Sequence, residues 1–143
     1  MNGWPWDGEA LPEPLLPLGS TFEGFLDLDW QALTADSAAV SFTVRDDLKQ
    51  PLGLLHGGIY SAVAETVASV ATAAGVWRDG MTVSGLSNSA SFLRPVTAGT
   101  VQVAARCRHH DDREWLWSHE FRDDRQRLCA LVDVRIAVRP RRP

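Results

Sequence analysis

The chain has 143 residues, 45% of them hydrophobic, with a formal net charge of -4 and a pI near 5.5. This is the size of one ordinary domain able to bury a core, and the acidic balance excludes the electrostatic footprint of a nucleic-acid binder. Cys107 and Cys129 are too few for a disulfide scaffold and too far apart for a CxxC motif, so they read as buried thiols of a reducing, cytoplasmic compartment.

Residues 1–19 carry Pro5, Pro12, Pro14 and Pro17 together with Trp4 and Trp6, which predicts an extended arm that its tryptophans can dock. The arm lacks the basic start and continuous apolar run of a secretory signal. Residues 20–143 read as a single domain. Apolar alternation from Phe22 to Leu33 and from Ala38 to Arg45 predicts a hairpin around Ala35-Asp36-Ser37. A loop with Pro51 and Gly53 leads to His56 and to a helix from about Gly57 to Ala74.

From Gly57 to Trp77 the only charged side chain is Glu65, which is the length of a membrane span. The Ala, Gly, Ser and Thr content and the unanchored flanks favour a buried central helix instead. Four strand patterns follow, at about 81–93, 100–109, 114–121 and 127–138. They predict a meander with turns at Pro95 to Gly99, Asp111-Asp112 and Asp123-Asp124. Six strands and one nearly uncharged helix imply an α+β domain in which an antiparallel sheet wraps a long central helix.

On that helix Gly58, Ser61, Glu65, Ser69 and Thr72 fall within one narrow stripe at 3.6 residues per turn, opposite Ile59, Val63, Val67, Val70 and Ala74. Glu65 therefore stands among small residues with no Lys or Arg beside it on the helix. Partial burial of such a carboxylate raises its proton affinity and marks a candidate functional group. Gly57-Gly58 leaves backbone N–H groups unshielded at the positive end of the helix dipole, where a developing oxyanion is stabilised. His56 precedes this turn and shapes it or donates a bond.

His56-Gly57-Gly58 followed by Glu65 nine residues after the histidine resembles the HGG signature of hotdog-fold thioesterases, especially the phenylacetyl-CoA type and the Glu-using 4-hydroxybenzoyl-CoA type. Gln50 before it, Ser69 after it and the run Asn88-Ser89-Ala90-Ser91-Phe92-Leu93-Arg94-Pro95 extend the resemblance over roughly residues 20–138. It implies a hotdog fold and hydrolysis of acyl-CoA thioesters. In that reading the Gly57 amide polarises the carbonyl and Glu65 serves as general base or attacking carboxylate. Gln50 orients the thioester or the water, and Ser69 supports them. Gly58, Asn88, Ser89, Ser91 and Arg94 line the substrate. The resemblance also implies a homodimer or a dimer of dimers, with helix and HGG turn supplied by opposite subunits. No cofactor is called for, since CoA is part of the substrate.

His109, His110, Asp111, Asp112 and His119 read as a polar turn and strand rather than a metal site, because alternation separates them. Gly85-Leu86-Ser87-Asn88-Ser89 lacks the final glycine of a nucleophile elbow. Arg94, Arg139, Arg141 and Arg142 are candidates for the CoA phosphates, and Trp115 and Trp117 read as core or interface packing. Two further functions compatible with the fold are an acyl-CoA-binding sensor without turnover and a dehydratase or hydratase. The latter needs an Asp-x-x-x-x-His motif that is absent.

Overall fold

The computed structural model describes residues 11–143. The predicted role of Trp4 and Trp6 falls outside them. The chain first makes one 3-10 turn, Leu18–Ser20, and a short helix, α1 (Phe22–Leu26). A strand was expected from Phe22, but it begins only at Asp29. Thr21 redirects the chain: its Oγ1 accepts the Gly24 N–H at 3.2 Å as an N-cap, and Asp27 then closes the turn with φ 52°. Gly24 is required because a Cβ there would collide with the Leu18 carbonyl.

Strands β1 (Asp29–Leu33) and β2 (Ser37–Thr43) form the predicted hairpin, closed by the Thr34 N–H donating to the Ser37 carbonyl at 2.8 Å. The long helix α2 (Gly57–Val76) follows, then β3 (Met81–Phe92), β4 (Thr100–His110), β5 (Glu114–Arg122) and β6 (Leu128–Pro140). They make one six-stranded antiparallel sheet in the order β1-β2-β4-β5-β6-β3. Only β4, β5 and β6 form a meander. The expected hairpin at Pro95 to Gly99 is instead a crossing from one side of the sheet to the other. The cause is α2, whose 20 residues span about 30 Å and carry the chain past the sheet, so that β3 pairs with β6. β4 then returns beside β2, with Thr43 opposite Thr100 and the Val44 N–H on the Gly99 carbonyl at 2.8 Å.

The sheet curls round α2, which packs mainly on β3 and β6. Val63, Ala64, Val67, Ala68 and Ala71 are fully buried on the helix. Facing them are Val101 and Val103 of β4, Trp117 and Phe121 of β5, and Val132, Val134 and Ile136 of β6. Each fully buried valine contributes about 1.5–3 kcal/mol of transfer free energy. Alanines let the sheet approach closely, and the Trp117 Nε1–H reaches across to donate to Thr72 Oγ1 at 2.9 Å. Thr72 is thereby a core residue and not part of an open polar stripe. By length and composition Gly57–Asp79 could cross a membrane, yet half of its apolar 18-residue window is buried inside the protein. The architecture is the α+β hotdog arrangement that the resemblance implies.

Candidate active site

Glu65 occupies the middle of α2 on the side facing β3. The helix periodicity predicts partial burial, but in the single chain Glu65 is exposed, because β3 is the last strand of the sheet. Its carboxylate lies against the backbone of Gly85, where a Cβ would stand 3.0 Å from Oε1. Gly85 adjoins a register shift in the β3–β6 ladder, so the strand is locally irregular where the carboxylate meets it. No cation or hydrogen-bond donor engages the carboxylate among the described residues. Glu65 shares a groove of about 440 Å³ with Ser69, half-buried one turn further along the helix.

The other candidate group lies at the start of α2. His56 is its N-cap, and His56 Nδ1 accepts the Gly58 N–H at 2.8 Å, which fixes the ring with its proton on Nε2. A Cβ at Gly58 would meet that nitrogen at 3.0 Å, so the second glycine makes room for the cap. The Gly57 N–H has no acceptor among the described residues and points out of the positive end of a 20-residue helix. The Phe92 ring covers Gly57 closely, its Cζ 2.8 Å from where a Cβ would be. This contact explains the first glycine.

A second cavity, of about 410 Å³, gathers Gln50, Gly57, Tyr60, Phe92 and Arg94. The Gln50 Oε1 accepts the Leu52 N–H, which leaves its amide NH₂ to donate elsewhere. Arg94 is exposed at the cavity mouth. Tyr60 is buried, with ring contacts to Phe92 at 5.9 Å and Phe121 at 5.1 Å, and burial pushes its phenol up to about 12.

The two cavities are distinct. Gly57 and Glu65 are eight residues apart on one helix, about 12 Å along its axis, so one carbonyl cannot meet both within one chain. Asn88 faces α2 and its Nδ2 donates to the Ser61 carbonyl at 2.9 Å, tying β3 to the helix between the two cavities. Strand alternation places Ser89 and Ser91 on the opposite face from Asn88 and Phe92, away from both cavities. Arg139 donates to the Arg113 and Val138 carbonyls, and Arg141 lies over the Trp77 ring at 3.9 Å. Of the four candidate arginines, Arg94 is the one at a cavity. His110 stacks on Trp115 and His119 is in the core, so the histidines of the predicted polar turn are dispersed. Among the described residues no group of three His, Cys, Asp or Glu could hold a metal.

Phe92, Tyr60 and Trp77 were not singled out as site residues from the sequence. Gly85 did carry a signal, since a glycine inside a strand marks a close approach by another group.

Residues 52–130 match the Thioesterase superfamily. The chain is 32% identical over 135 residues to the 1,4-dihydroxy-2-naphthoyl-CoA hydrolase of Escherichia coli (strain K12), covering 93% of this chain and 98% of that protein. The solved structure of Rv1847/MT1895 from Mycobacterium tuberculosis superposes with a TM-score of 0.81 at 34% identity, over 85% of this chain and 98% of that one. Thioesterase HI1161 from Haemophilus influenzae gives a TM-score of 0.76 at 30% identity, over 82% and 81% of the two chains. With its matched residues spanning the HGG turn, Glu65 and most of the sheet, the chain belongs to the thioesterase superfamily.

Proposed function

We propose that the protein hydrolyses acyl-CoA thioesters in the cytoplasm, without a cofactor, using Glu65 of one subunit and the Gly57 amide of another. The observation that carries this reading is the separation of two groups without partners among the described residues, a carboxylate with no cation and a helix-terminal N–H with no acceptor, about 12 Å apart on one helix. A two-fold partner laid along β3 would bring Gly57 of one copy to Glu65 of the other. β3 suits that role, as a 12-residue edge strand whose unpaired backbone side invites a second strand.

In the proposed reaction the thioester oxygen accepts the Gly57 N–H, and the helix dipole stabilises the charge that develops there. Glu65 takes a proton from water as the water oxygen adds to the carbonyl carbon, or it attacks that carbon itself. In the general-base route, collapse of the tetrahedral adduct breaks the C–S bond and the leaving thiolate recovers the proton. In the nucleophilic route, collapse expels the thiolate and leaves the acyl group on Glu65 as a mixed anhydride. Water hydrolyses this anhydride to free acid and the regenerated carboxylate, one of its protons passing to the thiolate. The free NH₂ of Gln50 orients the thioester, Ser69 supports the water, and Arg94 meets the CoA phosphates at the mouth of the Gly57 cavity.

Subunit complementation tests this arrangement. Gly57→Pro removes the amide donor at the first helical position, where proline's fixed φ suits the helix and the exposed Phe92 ring must turn aside to admit the new Cβ, and Glu65→Gln removes the base. Each variant alone should be inactive on acyl-CoA. Refolded together in equal amounts, they should regain about a quarter of wild-type activity, since half of random dimers are mixed and each carries one intact site. No recovery from stable mixed dimers would contradict a shared site.

A further inference from the structure

The groove beside Glu65 has a direction. Glu65, Ser69, Ala73 and Trp77 recur at every fourth residue and all line it, so they form one ridge of the helix running from a carboxylate through a hydroxyl and a methyl to an indole. Phe22 of α1 and Val83 of β3 also line it. Along this ridge the polar groups stand at the Glu65 end and the far end is aromatic, while Glu23 and Thr82 also line the groove.

Trp77 is held there by a device that the catalytic chemistry does not need. The Arg141 guanidinium covers its ring at 3.9 Å and also donates to the Trp77 carbonyl at 3.1 Å, while the Arg141 N–H donates to the Gly80 carbonyl at 2.9 Å. The positive guanidinium is attracted to the face of the indole, and the two backbone contacts fix its position. The C-terminal segment thus braces the end wall of the groove.

Accepting Glu65 as the catalytic carboxylate, we infer that Trp77 is a specificity-determining residue, the end stop for an elongated apolar acyl group lying along the 65-69-73-77 ridge. The run from Glu65 to Ala73 is about 12 Å, and an indole reaches back over the turn before its own Cα. With C–C bonds of about 1.5 Å, an extended chain of roughly eight to ten carbons fills that length. The substrate class is a medium-chain acyl thioester. Acetyl groups leave the groove empty, and acyl groups ending in a carboxylate meet the half-buried Glu23 that also lines it.

The test is the chain-length profile of kcat/KM over acetyl-, butanoyl-, octanoyl-, decanoyl-, dodecanoyl- and tetradecanoyl-CoA. Wild type should peak at octanoyl or decanoyl. Trp77→Ala should shift the peak to dodecanoyl or beyond, raising the ratio of dodecanoyl to octanoyl at least tenfold. Arg141→Ala should broaden the profile while leaving kcat on octanoyl-CoA within about twofold. Trp77→Leu serves if the alanine variant does not fold, and should shift the peak in the same direction by less. A wild-type peak at acetyl, or a profile unchanged in a folded Trp77 variant, would overturn the end-stop assignment while leaving the hydrolase reading intact. Absence of thiol release from every thioester, including aryl-CoA, would instead overturn the hydrolase reading on which it rests.

Discussion

The Glu65 carboxylate rests on the backbone of Gly85, close enough that a single methyl group at residue 85 would stand 3.0 Å from Oε1. Gly85→Ala therefore displaces the carboxylate without touching it chemically. The obstructing atom is the end of a flexible side chain, so the fold should be kept and the melting temperature should change little. The carboxylate must give by a few tenths of an ångström, so turnover should fall about 3- to 10-fold, less than the ~10²-fold that a 1 Å misplacement of a catalytic group can cost. Steady-state kinetics beside thermal unfolding would show it, and an unchanged kcat would mean that Glu65 is not aimed from this contact.

The His56 cap gives a second prediction. His56→Ala removes the acceptor for the Gly58 N–H and should cost about 1 kcal/mol of stability. His56→Asn restores a cap with a different ring-free acceptor and should recover most of it. Activity should follow stability across the pair if the histidine positions the turn; a His56→Asn protein that is stable but inactive would give the imidazole a chemical role.

His119 governs the acid limit of folding. Its Nδ1 contacts the Val132 carbonyl at 3.0 Å, its Nε2 has no partner among the described residues, and burial pushes the imidazole down to about 4 from 6.5. The unfolded chain takes up this proton below pH 6.5 and the folded chain only below about 4, so stability falls as pH drops through that window. The loss attributable to His119 is about 3 kcal/mol across it. Urea midpoints between pH 7 and 4 should show the slope, and His119→Leu should flatten it.

Tyr60 carries a buried hydroxyl without a partner among the described residues. Tyr60→Phe should raise stability by about 1 kcal/mol, because an unsatisfied polar group leaves the core while the ring contacts stay. A destabilised Tyr60→Phe protein in urea unfolding would mean that the hydroxyl is bonded in solution.

The helix and the two candidate groups on it were legible because they are local. Glu65 stood out as the single charge on an apolar helix, and Gly57-Gly58 as a bare helix start beside a capping histidine. Strand order was not legible, since the pairing of β3 with β6 is decided by where α2 sets the chain down, many residues away. That order is also why Glu65 is exposed in the single chain. The start at Phe22 was misread because five residues carry too little period to tell strand from helix, and Thr21 capping decided it. Ser89 and Ser91 were grouped with Asn88 by sequence proximity, whereas strand alternation separates them. The groove from Glu65 to Trp77 joins α1, α2 and β3, and only tertiary packing reveals it.

The most direct measurement is the turnover of Glu65→Gln on the best thioester of an acyl-CoA panel. The substitution keeps the side chain's shape and the Gly57 amide but cannot take up a proton or attack a carbonyl. The fold should survive, acyl-CoA should still bind, and kcat should fall by at least about 10²- to 10⁴-fold, the usual worth of a general base. A folded Glu65→Gln protein that releases CoA at near wild-type kcat would contradict the mechanism.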